Sequence, residues 1–179
     1  MSQPKSKVFW FALTFLAAFG IARVVTVKAT QGKDVVGKQA PAFRLESVDG
    51  QMVDLAKLKG KVVLMDFWAV WCGPCKKSMP FFQELSEKYR KDGLEVIGVH
   101  VDDRVPPKEE VAAYLAEAGV SYTNVISTID TDNAFVVFAM PTTYFIDKKG
   151  VISKRHIGYN PDTAPEEIET AVRGLLGLD

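Results

Sequence analysis

One stretch of this sequence constrains the fold more than any other: an apolar segment that leads directly into a pair of cysteines. Residues 62–68, Val-Val-Leu-Met-Asp-Phe-Trp, are β-branched, aromatic or apolar at almost every position. A run without polar alternation predicts a strand that is covered on both faces by helices. The segment 71–75, Trp-Cys-Gly-Pro-Cys, follows, and the apolar residues after it repeat at helical spacing. We therefore expect the cysteines to lie where a central strand turns into a helix.

The spacing of Cys72 and Cys75 predicts a redox-active pair. Two intervening residues allow the sulfurs to meet within one helical turn and form a disulfide. Cys72 would lie at the helix N-terminus, where free N–H groups and the helix dipole favour a thiolate. Lowering a thiol pKa of about 8.5 by about 1.5 units, to half ionisation at pH 7, requires about 2 kcal/mol. We expect an exposed Cys72 sulfur to attack a substrate disulfide, and the deeper Cys75 to resolve the mixed disulfide.

Three neighbouring residues have predicted supporting roles. Pro74 lacks a backbone N–H and stiffens the turn, and Trp71 is expected to cover the sulfur and shape the docking surface. Asp66 interrupts the apolar strand, where a carboxylate must be protonated or hydrogen-bonded. We interpret Asp66 as a buried acid with a raised pKa that takes the proton from Cys75. The alternative is a solvated aspartate at the strand end, or one paired with a lysine.

The composition argues against several other kinds of site. The 179 residues carry 22 basic and 22 acidic side chains, so no basic surface for nucleic acid is indicated. Two cysteines provide no framework of structural disulfides. A zinc site is not expected, because only His100 and His156 could add nitrogen ligands to the pair. Both histidines are expected to be ordinary structural or exposed residues, and no metal or cofactor is expected beside the Cys72–Cys75 disulfide.

The N-terminal residues predict export. Lys5 and Lys7 precede an uncharged apolar stretch at 8–22, which as a helix would be about 22 Å long against a hydrocarbon core of about 30 Å. That length suits a signal peptide. A helix that continued to Val27, with Arg23 at the interface, would suit an uncleaved anchor, which we favour slightly because basic residues lie close to the small-residue cleavage candidates. Either interpretation places the rest of the chain in the periplasm or another extracytoplasmic compartment.

The remaining patterns predict one α/β domain with a mixed sheet between helices. We expect residues 1–29 to be the signal peptide or anchor, 30–35 a linker and 36–179 the folded domain. The expected elements are a hairpin at 43–55, a strand at 62–68, a helix ended by Asp92-Gly93, a strand at 94–101, a helix at 108–118, a strand at 120–126, a short helix capped by Asp132 and ending near Phe138, a hairpin at 142–157, and a last helix with a Thr163/Glu166 capping box.

Several of these segments resemble a known family. Residues 66–76, Asp-Phe-Trp-Ala-Val-Trp-Cys-Gly-Pro-Cys-Lys, are similar to the active-site stretch of thioredoxin. The wider pattern resembles the membrane-anchored TlpA/ResA-like branch of the thioredoxin superfamily. The matching landmarks are Val-Gly-Lys-Gln-Ala-Pro-Ala-Phe at 36–43, Leu-Lys-Gly-Lys at 58–61, Met79-Pro80, Pro-Thr-Thr at 141–143, Ile-Asp-Lys-Lys-Gly at 146–150 and Gly158-Tyr159.

The resemblance implies a thioredoxin fold with an N-terminal β-hairpin and an inserted helix and strand at 108–126. It implies that Pro141 is a cis-proline facing the disulfide, although the residues alone favour a trans bond. Met140 would then offer backbone groups to a substrate strand, beside Trp71, Gly73 and Pro74. The chain departs from thioredoxin in having no lysine at 95–101 to accompany the aspartate, and from many anchored relatives in having the aspartate at all.

The sequence therefore predicts a protein-disulfide reductase. Gly73-Pro74 resembles the reducing members of the family, which implies a disulfide-containing protein substrate and an electron donor in the membrane. Reduction of apocytochrome c before haem attachment is the hypothesis for its role. A peroxiredoxin-like peroxidase shares the opening at 36–43, but Trp71 directly before the cysteine argues against it. A copper-handling thioredoxin-fold chaperone, the other alternative, would have a wider cysteine spacing and a nearby histidine ligand.

Overall fold

The computed structural model describes residues 35–101 and 108–179. The predicted signal peptide or anchor at 1–29 and residues 30–34 of the predicted linker lie outside the described residues. Within the described ranges, none of the helices has the length and apolar character needed to span a bilayer.

The described elements follow the predicted order. The strand predicted at 120–126 begins only at Thr123, and the helix expected to end near Phe138 ends three residues earlier. The helix after the cysteines continues past Pro80. The elements are β1 (Arg44–Glu46), β2 (Met52–Asp54), β3 (Val62–Trp68), α1 (Gly73–Tyr89), β4 (Leu94–His100), α2 (Lys108–Glu117), β5 (Thr123–Ile126), α3 (Ile129–Phe135), β6 (Thr142–Ile146), β7 (Ile152–Ile157) and α4 (Ala164–Leu176).

Among the described residues, five strands form the main sheet in the order β5-β4-β3-β6-β7. The pairs β3–β4 and β4–β5 are parallel, whereas β3–β6 and β6–β7 are antiparallel. The hairpin β1–β2 is a separate antiparallel sheet. This mixed sheet places β3 at its centre, as the uninterrupted apolar run predicted, and every residue of β3 is buried. It is the thioredoxin-type arrangement that the resemblance implies.

Helices and the hairpin cover the two faces of the sheet. On one face, alternate β3 side chains pack with Phe135 of α3 and with Phe43 and Leu45 at the hairpin. On the other face, the intervening β3 side chains pack with apolar residues of α1 and α4. A third cluster surrounds the cysteines at the end of β3 and consists of Trp68, Ala69, Cys72, Cys75, Met79, Val111 and Leu115.

Two predicted helix caps are wrong in detail. α3 is capped by Thr128, whose side-chain oxygen accepts a hydrogen bond from the Thr131 N–H at 3.3 Å. Asp132 lies inside that helix and accepts a hydrogen bond from the Ser127 hydroxyl. Thr163 does precede α4, but its side chain makes no capping hydrogen bond, so the capping box does not form. Several residues near each start are able to cap, and packing decides which one does.

Gly98 in β4 is required by a close approach between side chains. A Cβ at this position would overlap Asn124 Oδ1 and lie 3.0 Å from Trp68 Nε1. The Asn124 side chain crosses over β4 here, and its Oδ1 accepts a hydrogen bond from Trp68 Nε1 at 2.9 Å. Its Nδ2 donates to the Tyr122 carbonyl at 2.9 Å. The missing side chain thus lets β5 bond to β3 across the strand between them.

We expect Gly98→Ala to lower the free energy of unfolding by about 2–4 kcal/mol. The added methyl group must displace the Asn124 amide and leave the buried Trp68 N–H without its acceptor. Denaturant unfolding of the oxidised protein measures the change. In an Asn124→Ala background the same substitution should cost less than half as much. Equal costs in the two backgrounds would show that the crossing of Asn124 is not the cause.

Candidate active site

The two cysteines form a disulfide at the turn from β3 to α1. Their Cα atoms are 5.2 Å apart, and α1 begins at Gly73 with Cys72 as its N-cap. Cys72 Sγ accepts a hydrogen bond from the Cys75 N–H at 3.2 Å, and Pro74 stands in the first turn. The structure therefore places Cys72 at the helix N-terminus, as the sequence predicted, where the N–H groups and the helix dipole stabilise a thiolate.

Cys72 is much less exposed than the sequence predicted. Only 4% of Cys72 is accessible, against none of Cys75. Trp71, which the sequence predicted to cover the sulfur, is itself 58% exposed. The pair is buried because it packs in a cluster with Met79 of α1 and with apolar residues of α2. Cys72 is still the more accessible of the two residues, which leaves it as the one that a substrate can reach.

The loop before β6 meets the disulfide. The Met140–Pro141 peptide bond is cis. The family resemblance implied this isomer, whereas the frequency of cis X-Pro bonds alone favours trans. Pro141 is buried, and its carbonyl accepts a hydrogen bond from the Gly158 N–H at 2.8 Å. Met140 is half-buried against the cluster that contains both cysteines. The structure thus brings Met140, one of the predicted substrate-binding residues, against both predicted catalytic cysteines.

Exposed apolar side chains flank this loop and the cysteine turn. Phe138, two residues before Met140, is 69% exposed, and the Arg155 guanidinium carbon lies 5.6 Å from its ring centroid. Ile157 is paired with Thr142 in the sheet and is also exposed. We call Trp71, Phe138, Met140 and Ile157 the active-site rim. Sequence reasoning missed Phe138 and Ile157, although a phenylalanine so near a Met-Pro turn is a detectable signal.

Asp66 is completely buried in β3, six residues before Cys72. Its Oδ1 accepts a hydrogen bond from the Thr143 hydroxyl at 2.8 Å, whereas its Oδ2 has no hydrogen-bond partner in the described part of the chain. Burial raises the pKa of Asp66 to about 8, and the Thr143 hydrogen bond opposes that rise. The alternative of a solvated aspartate or a lysine pair is therefore wrong. Its register partners on β4 and β6 are Gly98 and Thr143.

The inserted helix α2 covers the other side of the site. Tyr114 of α2 stacks on Trp68, with ring centroids 5.7 Å apart and planes inclined by 22°. Lys76 Nζ lies 5.3 Å from the centroid of the same tyrosine ring. Val111 and Leu115 complete the apolar wall around the cysteines. α2 is therefore part of the active-site structure.

The two histidines occupy separate positions in the sheet. His100 on β4 is buried, with its ring edge-on to Trp68 at 4.8 Å between centroids. His156 on β7 is half-buried, and its Nδ1 is 3.8 Å from Glu167 Oε2. Because β3 and β6 separate these two strands, the structure does not bring the histidines together.

Comparisons with known proteins agree with this geometry. The family model described as Redoxin matches residues 35–172. The chain is 30% identical to the thiol-disulfide oxidoreductase ResA of Halalkalibacterium halodurans over 96% of this chain and 98% of that protein. It is 35% identical to the thioredoxin-like protein YneN of Bacillus subtilis over 68% of this chain and 71% of that protein. A crystal structure described as that of a thiol:disulfide interchange protein DsbE from Chlorobium tepidum is similar, with a TM-score of 0.73 and 32% identity, over 79% of this chain and 98% of that one.

Proposed function

This chain belongs to the Redoxin family and is a ResA-like thiol-disulfide oxidoreductase, and from that premise we propose that it reduces protein disulfides outside the cytoplasm. Cys72 and Cys75 carry the two electrons of each turnover. The client is a protein disulfide, and a dithiol protein in the membrane restores the reduced pair. Reduction of apocytochrome c before haem attachment is the role we propose within this class.

The reaction follows from the order of the two sulfurs. The Cys72 thiolate attacks one sulfur of the client disulfide, forms a mixed disulfide and expels the other client sulfur as a thiolate. Cys75 then loses its proton and attacks Cys72 Sγ, which re-forms the internal disulfide and releases the second client thiolate. The client gains two electrons and the pair loses two. The helix N-terminus supports the first step, because it stabilises the Cys72 thiolate.

The observation that carries the exchange mechanism is the buried carboxyl of Asp66, six residues before Cys72. In a reductase the second thiol must lose its proton inside the protein before it can resolve the mixed disulfide. Asp66 is completely buried, retains one oxygen without a partner and has a pKa near 8, which suits a group that accepts a proton near neutral pH. We propose that Asp66 takes the Cys75 proton, directly or through one water.

The active-site rim supports a protein as the client. Two of its exposed apolar side chains, those of Phe138 and Ile157, lie near the cis Met140–Pro141 bond, whose backbone groups are able to pair with an extended client strand. Exposed apolar groups that flank a reactive centre are typical of protein-binding surfaces. We propose that Trp71, Gly73, Pro74, Met140 and Pro141 contact the client strand on either side of its disulfide.

The location is proposed from the N-terminal sequence. Residues 1–29 combine basic residues with an apolar stretch, as in signal peptides and signal anchors. An anchored domain outside the cytoplasm would receive its electrons from a membrane protein. Protease digestion of intact spheroplasts tests the location, because an external domain is degraded and a cytoplasmic one is protected.

A redox titration tests the direction of the reaction. We expect the potential of the Cys72–Cys75 couple to lie nearer the value of about −270 mV found for thioredoxin than that of about −120 mV found for a strong dithiol oxidant. The two values differ by about 7 kcal/mol. Equilibration with glutathione buffers and mass spectrometry of the alkylated protein measure the potential. A value near −120 mV would overturn the reductase assignment, and rapid peroxide consumption or tight copper binding would favour one of the two alternative functions.

A further inference from the structure

We propose that Tyr122 is a positioning residue for the resolving step. Its hydroxyl group donates a hydrogen bond, directly or through one water, to Asp66 Oδ2 when that carboxyl ionises to accept the Cys75 proton. The inference rests on the proposed role of Asp66 and deepens it, because it names the group that supports the carboxylate. Nothing in the cysteine motif indicates this tyrosine, which lies 47 residues after Cys75 in the sequence.

Two buried oxygen atoms on the same side of the sheet lack hydrogen-bond partners among the described residues. Asp66 Oδ2 and Tyr122 Oη are both buried, and neither forms a hydrogen bond within the described residues. A buried polar group without a partner is destabilising, and buried side-chain polar atoms are in most cases hydrogen-bonded. A hydrogen bond between these two atoms, or a shared water, would satisfy both at once.

The register of the sheet places the two residues within reach of each other. Asp66 pairs with Gly98, and Gly98 pairs with Asn124, so the three stand in one row across β3, β4 and β5. Tyr122 precedes Asn124 by two residues and packs in the core on the α1 side of the sheet. Tyr122 is thus two strand spacings across the sheet and two residues along it from Asp66, which corresponds to a Cα–Cα distance of about 12 Å. A tyrosine and an aspartate side chain that point toward each other cover most of that distance.

Gly98 contributes by letting a β5 side chain cross β4 at the level of Asp66. It is the β4 residue opposite Asp66, and it carries no side chain of its own. The Asn124 side chain already crosses β4 at this point to reach Trp68. One polar side chain of β5, that of Asn124, therefore reaches β3 over the glycine.

Other groups near Asp66 have different roles. From β6, Thr143 occupies Oδ1, and from α1 the Cys75 thiol is the proton donor. His100 lies two residues beyond Gly98 on β4 and packs edge-on to Trp68. Tyr159, after β7, also interacts electrostatically with the Asp66 charge and is the nearest competitor for the proposed role. Tyr122 is the better candidate because it is the more deeply buried and its hydroxyl lacks a partner.

The electrostatics suit a hydrogen-bond donor. Burial raises the pKa of Tyr122, and the nearby Asp66 charge raises it further, so the phenol stays neutral and keeps its proton at physiological pH. A neutral hydroxyl donor stabilises a carboxylate without introducing a charge of its own. Removal of that donor must raise the Asp66 pKa, since only the ionised form loses the interaction.

The test is Tyr122→Phe, which removes one hydroxyl and keeps the ring. A mixed disulfide between Cys72 and thionitrobenzoate is prepared, and release of the thionitrobenzoate anion by Cys75 is followed from pH 5 to pH 9. We expect the midpoint of the pH–rate profile to rise by about one unit and the rate at pH 7 to fall about tenfold. A purely structural role for Tyr122 would lower the rate at every pH and leave the midpoint unchanged.

Three further variants decide the outcome. Tyr89→Phe, which removes a hydroxyl that hydrogen-bonds to Glu169 in the same core, should keep the wild-type midpoint. A shift with Tyr159→Phe and none with Tyr122→Phe would overturn the inference. If Asp66→Asn changes the profile and Tyr122→Phe does not, the inference is wrong and the proposed role of Asp66 stands. If Asp66→Asn also leaves the profile unchanged, the proposed role of Asp66 fails as well.

Discussion

Raising the pH from about 4 to about 8 is expected to destabilise the oxidised protein through Asp66 by several kcal/mol, and Asp66→Asn should remove that loss. Burial raises the folded-state pKa of Asp66 to about 8, far above the value of about 4 in the unfolded chain. Between those values the unfolded carboxyl releases its proton and the folded one retains it. The contribution of Asp66 to the free energy of unfolding is therefore most favourable below pH 4. It falls by up to about 5 kcal/mol between pH 4 and pH 8 and is constant above that range.

The measurement is the free energy of unfolding of both proteins by denaturant at several pH values. Other groups titrate in the same range, so the informative quantity is the difference between Asp66→Asn and wild type as a function of pH. That difference should favour the variant increasingly from pH 4 to pH 8. Glu84→Gln, which changes an exposed carboxylate on α1, is the matched control and should run parallel to wild type. A pH-independent difference for Asp66→Asn would show that Asp66 ionises normally in the folded protein.

Cys72→Ser is expected to abolish disulfide exchange, whereas Cys75→Ser should trap the client. A serine hydroxyl is not ionised near neutral pH and cannot attack a disulfide as a thiolate does. Cys75 cannot replace Cys72, because it has no accessible surface. Without Cys75, the mixed disulfide on Cys72 has no internal thiol to resolve it. Insulin-disulfide reduction should therefore fall to the uncatalysed background with Cys72→Ser, and mass spectrometry should find a stable client adduct with Cys75→Ser.

The adduct can be located without ambiguity, since the chain has only two cysteines. Lys77→Ser, a substitution at an exposed position of α1, should retain wild-type exchange. Appreciable turnover by Cys72→Ser would assign the nucleophile to Cys75. Absence of any adduct with Cys75→Ser, under conditions in which wild type reduces the same client, would contradict the two-step mechanism.

The sequence predicted most of the fold because its strongest signals are local. The uninterrupted apolar run at 62–68 identified β3 as the central strand, and the spacing of the cysteines placed them at the start of α1. The burial of Asp66 followed from its position within that run. The family resemblance added the cis bond before Pro141, which residue frequencies did not favour. The Redoxin match and the ResA relative confirm the predicted family and the class of enzyme.

The parts that sequence did not predict depend on contacts between distant segments. The low exposure of Cys72 results from packing that involves α2, which periodicity does not reveal. Thr143 contacts Asp66 from β6, and only the register of the sheet brings the two residues together. Thr128 rather than Asp132 caps α3, because the helix begins at Ile129 and Asp132 lies within it. Local patterns identify a residue's element, and packing determines its environment.

The position of α2 has a consequence for how such proteins diversify. Val111 and Leu115 of this helix line the reactive pair, although they belong to a segment that the family resemblance identifies as an addition to plain thioredoxin. Substitutions in the added segment are therefore able to alter access to the sulfurs while the cysteine motif and the central strand stay unchanged. Client preference and reactivity become adjustable from a helix that contributes no strand to the sheet.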